Sequence, residues 1–248
     1  MEAHVNVRSN VWVSVFDDLQ ALSHSAAELF QLLSRRAIAA KGSFVVALSG
    51  GTTPRCLYTL LGSAAYLDTI EWRRIHLFWA DERCVPSDHP ESNYRLVRET
   101  LLKNISPPAS NVHKIQGEAD PDEAARIYEQ DIKAFYGTVS FPSFDLIILG
   151  VGVDGHTASL FPGSSALPEA VRIAVPVYRE DPQVNRVTLT LPVINHAANV
   201  LFLAAGRDKA SVLRNILYED NSLQYPAGLV MTGNGTVAWF LDKEAAGK

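Results

Sequence analysis

Between Phe144 and Pro162 the chain reads FDLIILGVGVDGHTASLFP. Leu146, Ile147, Ile148 and Leu149 leave no polar face, which marks a strand covered on both sides, as in a parallel sheet between helices. That strand breaks into a glycine turn, Gly150, Gly152 and Gly155, which carries Asp154 and His156. Open α/β sheets bind ligands beyond the carboxyl ends of their strands. A carboxylate two residues from an imidazole at such a place suits proton transfer on a small ligand.

The same turn fits the dinucleotide fingerprint G-x-G-x-x-G from Gly150 to Gly155. That fingerprint requires a long helix after the turn and an acidic residue about 20 positions on. Pro162 and Gly163 interrupt soon after Gly155, so any helix there is short, and no second strand–helix unit leads to Glu169. A nicotinamide cofactor is not expected.

Strand and helix patterns alternate along the rest of the chain. Val11–Phe16 alternates as a strand, and Asp17 or Asp18 can cap a helix whose apolar residues (Leu22, Ala26, Leu29, Phe30, Leu33) recur at helical spacing to about Ala40. Ser43–Leu48 and Ile75–Ala80 read as buried strands; Pro54–Leu61, Asn93–Lys103, Asp122–Phe135 and Arg207–Tyr218 read as helices. Val187–Leu191, Val200–Ala204 and Val237–Leu241 read as later strands, with loops at 104–111 and 219–227. The alternation predicts an α/β fold with a mostly parallel sheet.

With 248 residues, 47% of them hydrophobic, the core needs no disulfide or metal staple. A net charge of −5 without a basic block points away from nucleic acid and anionic membranes. Cys56 and Cys84 form no C-x-x-C pair and read as reduced thiols in a cytosolic setting. The N-terminal residues carry no secretory or transit pattern, and no apolar stretch reaches membrane-spanning length.

Three further places carry possible chemistry. Ser49-Gly50-Gly51-Thr52-Thr53-Pro54 joins a buried strand to a helix, with Thr53 able to cap it and Pro54 to open it. Its glycines let backbone N–H groups and the helix dipole approach a phosphate monoester; an ordinary strand–helix turn is an equally good reading of that run alone. Asp81-Glu82-Arg83 follows the Ile75 strand, where, taken alone, a solvated loop with a salt bridge fits better than a ligand rim. Ser92 and Asn93 can cap the next helix and need no other role. Arg186 and Lys209 flank later strands and could neutralise a phosphate dianion, although each alone is an ordinary surface cation. The remaining histidines have no comparable setting, and no pair shows zinc spacing. No G-x-S-x-G elbow is present, and Ser159 has no evident base or orienting group.

Taken together, Ser49-Gly50-Gly51-Thr52, Asp81-Glu82-Arg83, Ser92-Asn93-Tyr94, FDLIILGVGVDGHTASLFPG, Arg186–Pro192, Gly206–Lys209 and Trp239-Phe240-Leu241-Asp242 resemble the 6-phosphogluconolactonase family. The resemblance runs through essentially the whole chain, and GVGVDGHTASLFPG is its most specific block. It implies one Rossmann-like α/β domain over residues 1–248, its sheet flanked by helices, as in glucosamine-6-phosphate deaminase and ribose-5-phosphate isomerase. It implies hydrolysis of 6-phospho-D-glucono-1,5-lactone to 6-phosphogluconate in the oxidative pentose phosphate pathway, beside glucose-6-phosphate dehydrogenase, in the cytoplasm, with no cofactor and no metal.

Within that resemblance His156 matches the general base. Ser49, Gly50, Gly51, Thr52, Arg186 and Lys209 match phosphate-binding elements, and Arg83 matches an arginine that contacts substrate. Asp154 would orient His156, and N–H groups of the turn holding Gly152 and Gly155 would stabilise an oxyanion. Asp81 matches the base of the related aminosugar-phosphate deaminases. Phe161, however, stands where those enzymes carry a proton-transferring Glu, so deamination is disfavoured. A non-catalytic sugar-phosphate sensor is the alternative from another class.

Overall fold

A computed structural model describes residues 3–8, 10–137, 140–180, 183–219 and 222–248. Among the described residues eleven strands are present: β1 (Ala3–Arg8), β2 (Val11–Phe16), β3 (Phe44–Leu48), β4 (Ile75–Trp79), β5 (Asp81–Arg83), β6 (Val112–His113), β7 (Leu146–Leu149), β8 (Ala174–Val177), β9 (Arg186–Leu189), β10 (Asn199–Ala204) and β11 (Thr236–Asp242). The α-helices are α1 (Leu19–Lys41), α2 (Thr52–Leu61), α3 (Ala64–Leu67), α4 (Asn93–Val97), α5 (Pro121–Tyr136), α6 (Leu191–Asn195) and α7 (Ala210–Leu217).

The fold is α/β and Rossmann-like. Its main sheet has the order β1-β2-β11-β10-β7-β3-β4-β6. All neighbours pair in parallel except β1, which runs antiparallel along β2. From β3 the chain moves outward to β4 and β6, then returns through α5 to β7 on the other side of β3. This reversal opens a crevice at the carboxyl ends of β3 and β7, the place where such sheets bind ligands. Both strands are buried at every position, which explains their unbroken apolar sequences.

Local chemistry sets the long helices. Asp18 caps α1 by accepting from the Ala21 amide at 2.8 Å, and Gly42 ends it at φ +86°, in the left-handed region. The helix buries Leu22, Ala26, Phe30 and Ile38, with Phe30 edge-on to Phe44 of β3 at 5.3 Å. Burial of that phenyl ring contributes roughly 1.5–3 kcal/mol. On α5, Asp120 accepts from the Asp122 amide at 3.0 Å, and Pro121 takes the first position. The buried Tyr128 hydroxyl of that helix accepts from the Trp79 amide at 2.8 Å and donates to its carbonyl at 2.7 Å. It thereby satisfies both backbone groups where β4 leaves the sheet.

Several expectations change. Asp81-Glu82-Arg83 is not a solvated loop but strand β5 of a second sheet, ordered β5-β9-β8 and antiparallel throughout, with Asp81 4% and Glu82 2% exposed. The Val187–Leu191 strand is β9, which starts at Arg186 and stops at Leu189 so that α6 can begin. The predicted helix Asn93–Lys103 is α4 followed by a π-turn at Arg98–Leu102, and Arg207–Tyr218 opens as a 3-10 turn at Arg207–Lys209 before α7. No helix follows Gly155; residues 151–172 run as turns with a single bridge between Thr157 and Leu160. In the predicted loops 104–111 and 219–227, short 3-10 turns form at Ala109–Asn111, Ser222–Gln224 and Pro226–Leu229, while residues 220 and 221 lie outside the described residues. Strands β1, β6 and β8 have no counterpart in the sequence pattern.

Candidate active site

A cleft of about 230 Å³ opens over the carboxyl ends of β3, β7 and β10. It is lined by Ser49–Pro54, Asp81, Arg83, Asn93, Gly150–Gly152, His156, Ala158, Arg186, Leu203–Ala205 and Lys209. Residues far apart in sequence thus meet because the strand ends of the main sheet and the small β5-β9-β8 sheet border one cleft. Among the residues predicted for the site, Asp154 and Gly155 do not line the cleft, Asp154 being in contact with His156.

The floor is the turn after β3. Ser49 Oγ donates to the Ile148 carbonyl at 2.7 Å, tying β3 to β7. The Tyr58 hydroxyl of α2 receives the Ser49 amide at 3.1 Å and donates to the Ser49 carbonyl at 2.8 Å. The expected cap at Thr53 does not form. The helix begins at Thr52, and Gly51 stands at the cap position with φ +110° and no side-chain cap bond. A residue with a Cβ is strained there. The first amides of α2 therefore meet the cleft without a capping oxygen, as anion binding requires.

One wall comes from the small sheet. In the β5–β9 register Arg83 lies opposite Arg186, and Asp81 opposite Thr188. Antiparallel pairing thus brings together two guanidiniums that are 103 residues apart in sequence. Burial first, then the nearby Arg83 charge, pushes the Arg186 pKa below its usual value. Both Nε atoms are buried without a hydrogen-bond partner in the protein, so each has a donor to offer. Lys209 completes the cationic lining from the turn after β10, its Nζ 3.0 Å from Asp208. The Asp242 carboxylate accepts the Gly206 amide at 3.1 Å and fixes that turn.

Beneath this wall lies a polar network that sequence reasoning missed. Asn93 Nδ2 donates to the Asp81 carbonyl at 2.9 Å and to its Oδ1 at 3.3 Å. Asn93 Oδ1 accepts from Arg83 Nη1 at 2.8 Å. Gly50 permits this contact, since a Cβ there would fall 1.8 Å from Asn93 Oδ1. Ser92 caps α4 as expected, with its Oγ accepting the Arg95 amide at 3.1 Å. Asn93 is not a cap: it is the first residue of α4, its side chain serves Asp81 and Arg83 instead, and the Ser92-Asn93-Tyr94 run is its only sequence signal.

Glu82 anchors the same helix start. It accepts the amides of Arg83, Asn93 and Tyr94, each at 2.7 Å, and the Ser92 hydroxyl at 3.1 Å. Burial nonetheless pushes its carboxyl pKa up. Ser159 is corrected too: its hydroxyl donates to Asp81 Oδ2 at 2.7 Å. Both residues are buried, so the pair is an internal tie rather than an exposed nucleophile. Ala158, just before it, is the non-glycine residue at positive φ, +48°, among those described. That geometry costs about 1–2 kcal/mol and is held by the Ser159 bonds on one side and by Thr157 Oγ1 to the Gly150 carbonyl at 2.8 Å on the other.

The opposite lip is the glycine turn. Asp154 Oδ1 lies 2.5 Å from His156 Nδ1 and accepts the His156 amide at 3.1 Å. Burial would raise the Asp154 pKa, but the bonds from His156 outweigh it, and the net direction is down. An ionised carboxylate at Nδ1 assigns the proton to that nitrogen and leaves the Nε2 lone pair as the basic one. Two of the amides expected to serve an oxyanion, those of Gly152 and Gly155, are already engaged within the turn. The Gly152 amide donates to the His156 carbonyl at 2.9 Å and the Gly155 amide to the Gly152 carbonyl at 2.9 Å, so both are spent inside it. Gly155 sits at φ +78° against Tyr225, whose Cδ1 would lie 2.4 Å from an added Cβ.

Comparison with known proteins places this architecture. The family model for glucosamine-6-phosphate isomerases/6-phosphogluconolactonase matches residues 17–239. The chain belongs to this family. It is 42% identical over 214 residues to a 6-phosphogluconolactonase of Synechocystis sp., covering 85% of this chain and 86% of that one. It is 42% identical over 240 residues to the Homo sapiens 6-phosphogluconolactonase, with 94% and 92% covered. The solved 6-phosphogluconolactonase of Trypanosoma cruzi superposes with a TM-score of 0.85 at 31% identity, over 99% of this chain and 98% of that one. No helix among the described residues is long and apolar enough to cross a membrane, and no group of three or more His, Cys, Asp or Glu is placed to hold a metal ion.

Proposed function

We propose that this chain hydrolyses 6-phospho-D-glucono-1,5-lactone to 6-phosphogluconate. The observation that carries the reading is the Asp154–His156 pair, 2.5 Å apart, on a cleft otherwise lined by Arg83, Arg186, Lys209 and the uncapped start of α2. The phosphate would lie on the Ser49–Thr52 turn with Arg186 and Lys209, holding the ring in register with the base.

His156 Nε2 takes a proton from water as its oxygen attacks C1. The lactone carbonyl becomes a tetrahedral oxyanion, for which Arg83 is the candidate donor. Collapse reforms the carbonyl and breaks the bond from C1 to the ring oxygen, which receives the proton from His156. Asp154 stabilises the imidazolium formed in between. A lactone carbonyl is electrophilic enough to need neither a metal nor a covalent intermediate.

Relatives named for this lactonase, at 42% identity, support the reading. Deamination is disfavoured by Phe161 and by the engagement of both Asp81 carboxylate oxygens with Ser159 and Asn93. In the cell the substrate would come from oxidation of an aldose 6-phosphate, the glucose-6-phosphate dehydrogenase step of the oxidative pentose phosphate pathway, in the cytoplasm.

The test is hydrolysis of freshly generated lactone, corrected for spontaneous opening. His156→Ala should lower kcat by about 10²- to 10⁴-fold and leave folding and 6-phosphogluconate binding in place. A folded variant with near-normal kcat removes His156 from the mechanism.

A further inference from the structure

The proposed reaction leaves one buried aromatic side chain without a role, although it touches both sides of the cleft. Phe161 is 7% exposed, and its ring centre lies 4.4 Å from that of His156, tilted by 36°. The Arg179 guanidinium stands 3.9 Å over the same ring, and that of Arg186 lies 5.8 Å from its centre. One phenyl ring therefore connects the base to Arg186 of the opposite wall and to Arg179, whose charge acts on Arg186 although it does not itself line the cleft. Such a stack holds by dispersion and by attraction of a guanidinium to the π face.

Arg179 is the unexpected member. It precedes β9, and its backbone amide is fixed by Asn185 Oδ1 at 2.9 Å. Its Nε donates to Gln183 Oε1 at 2.8 Å, and Nη2 donates to the same oxygen. Gln183 is exposed and neutral, so these bonds orient the fork without neutralising its charge. The distances to Phe161 put the guanidinium carbon within about 8 Å of the imidazole centre. This is the length scale of a sugar phosphate from C1 to phosphorus.

We propose that Phe161 is a positioning residue that sets the register between His156 and the phosphate-binding cations, and that Arg179, carried on its ring, is a further phosphate-binding residue. The inference rests on the lactonase reading. Arg179 would bind the dianion beside Arg186. Phe161 would act through both partners: on KM through Arg179 and on kcat through the orientation of His156.

The experiment compares Arg179→Met, Phe161→Leu, Phe161→Tyr and the Arg179→Met/Phe161→Leu double variant. Each is assayed with the phosphorylated lactone and with unphosphorylated glucono-1,5-lactone, and binding of 6-phosphogluconate is measured by calorimetry. Loss of one charged contact should raise KM about tenfold for the phosphorylated substrate in Arg179→Met. Its kcat and its activity on the unphosphorylated lactone should stay within threefold. Phe161→Leu should show the same KM change together with a kcat about tenfold lower. The double variant should match Phe161→Leu in KM, because the cation has already lost its seat, and Phe161→Tyr should restore both parameters.

An unchanged KM and product affinity in Arg179→Met would overturn the proposal. So would equal losses on both lactones, or KM effects that multiply in the double variant. A wild-type protein without lactone hydrolysis would instead refute the proposed function, and product calorimetry would still decide the role of Arg179.

Discussion

Gly152→Ala attacks the base without touching it. A Cβ on Gly152 would lie 2.1 Å from His156 Nδ1, 2.2 Å from its Cε1 and 2.5 Å from Asp154 Oδ1. The two imidazole distances are more than an ångström inside ordinary contact, so the ring has to leave its place. A misplacement of about 1 Å costs roughly 10² in rate, and full loss of a positioned base up to about 10⁴. Stability should change little. The His156 and Asp154 side chains are 31% and 47% exposed, so the ring can swing into solvent rather than into the core. Replacing glycine also restricts the unfolded chain, worth about 0.4–1 kcal/mol in favour of the fold. We expect kcat to drop by at least about 10² with Tm within roughly 4 °C of the parent. Product affinity should be nearly unchanged, because the phosphate contacts lie elsewhere. Gly233→Ala, where an added Cβ meets nothing within 4 Å, is the control for a generic glycine effect. A folded Gly152→Ala protein with kcat within threefold of the parent would refute the placement of the base.

Lys209→Ala should raise KM and lower kcat/KM by about 1.5–3 kcal/mol, the worth of a hydrogen bond to a charged group; equal activity on the unphosphorylated lactone would contradict it. Exhaustive chelation should leave turnover intact, and loss of activity restored by one divalent metal would overturn the proposed mechanism. Ammonia release from glucosamine 6-phosphate should be marginal beside lactone hydrolysis; comparable rates would put the chain in the deaminase branch. Glu169 accepts the Arg172 and Val171 amides and the Arg172 guanidinium, which pull its pKa from 4.5 to about 2. A depressed folded-state value contributes stability above the unfolded pKa and loses it as pH falls. The stability advantage of the parent over Glu169→Gln should therefore be full above pH 4.5 and fade toward pH 2, as denaturant titrations at several pH values would reveal.

Local pattern determined a good deal of this protein. The apolar blocks Phe44–Leu48 and Leu146–Leu149 declared strands buried on both faces, and the alternation of strand and helix declared a parallel α/β sheet. An aspartate at 17 or 18 opened α1 and its apolar period carried it to about Ala40, and the turn around Asp154 and His156 stood out because a glycine run at a strand end has little structural reason to hold an imidazole. Those signals lie within a few residues of the features they predict, where propensity, capping and periodicity operate.

Pairing between distant segments was decided only in three dimensions. Asp81-Glu82-Arg83 looks like a charged loop because its burial depends on β9, about a hundred residues on, and on the amides of α4 that Glu82 accepts. Short strands such as β6 and β8 carry too few residues to show a period. Asn93 reads as a cap until β5 brings Asp81 and Arg83 to it. Phe161 reads only as the absence of a proton-transferring Glu until Arg179 and His156 are found on its ring. In each case the contact depends on a segment outside the local pattern, so local sequence holds no record of it; the pairing of β5 with β9 in the small sheet and the meeting of loops at the cleft create it.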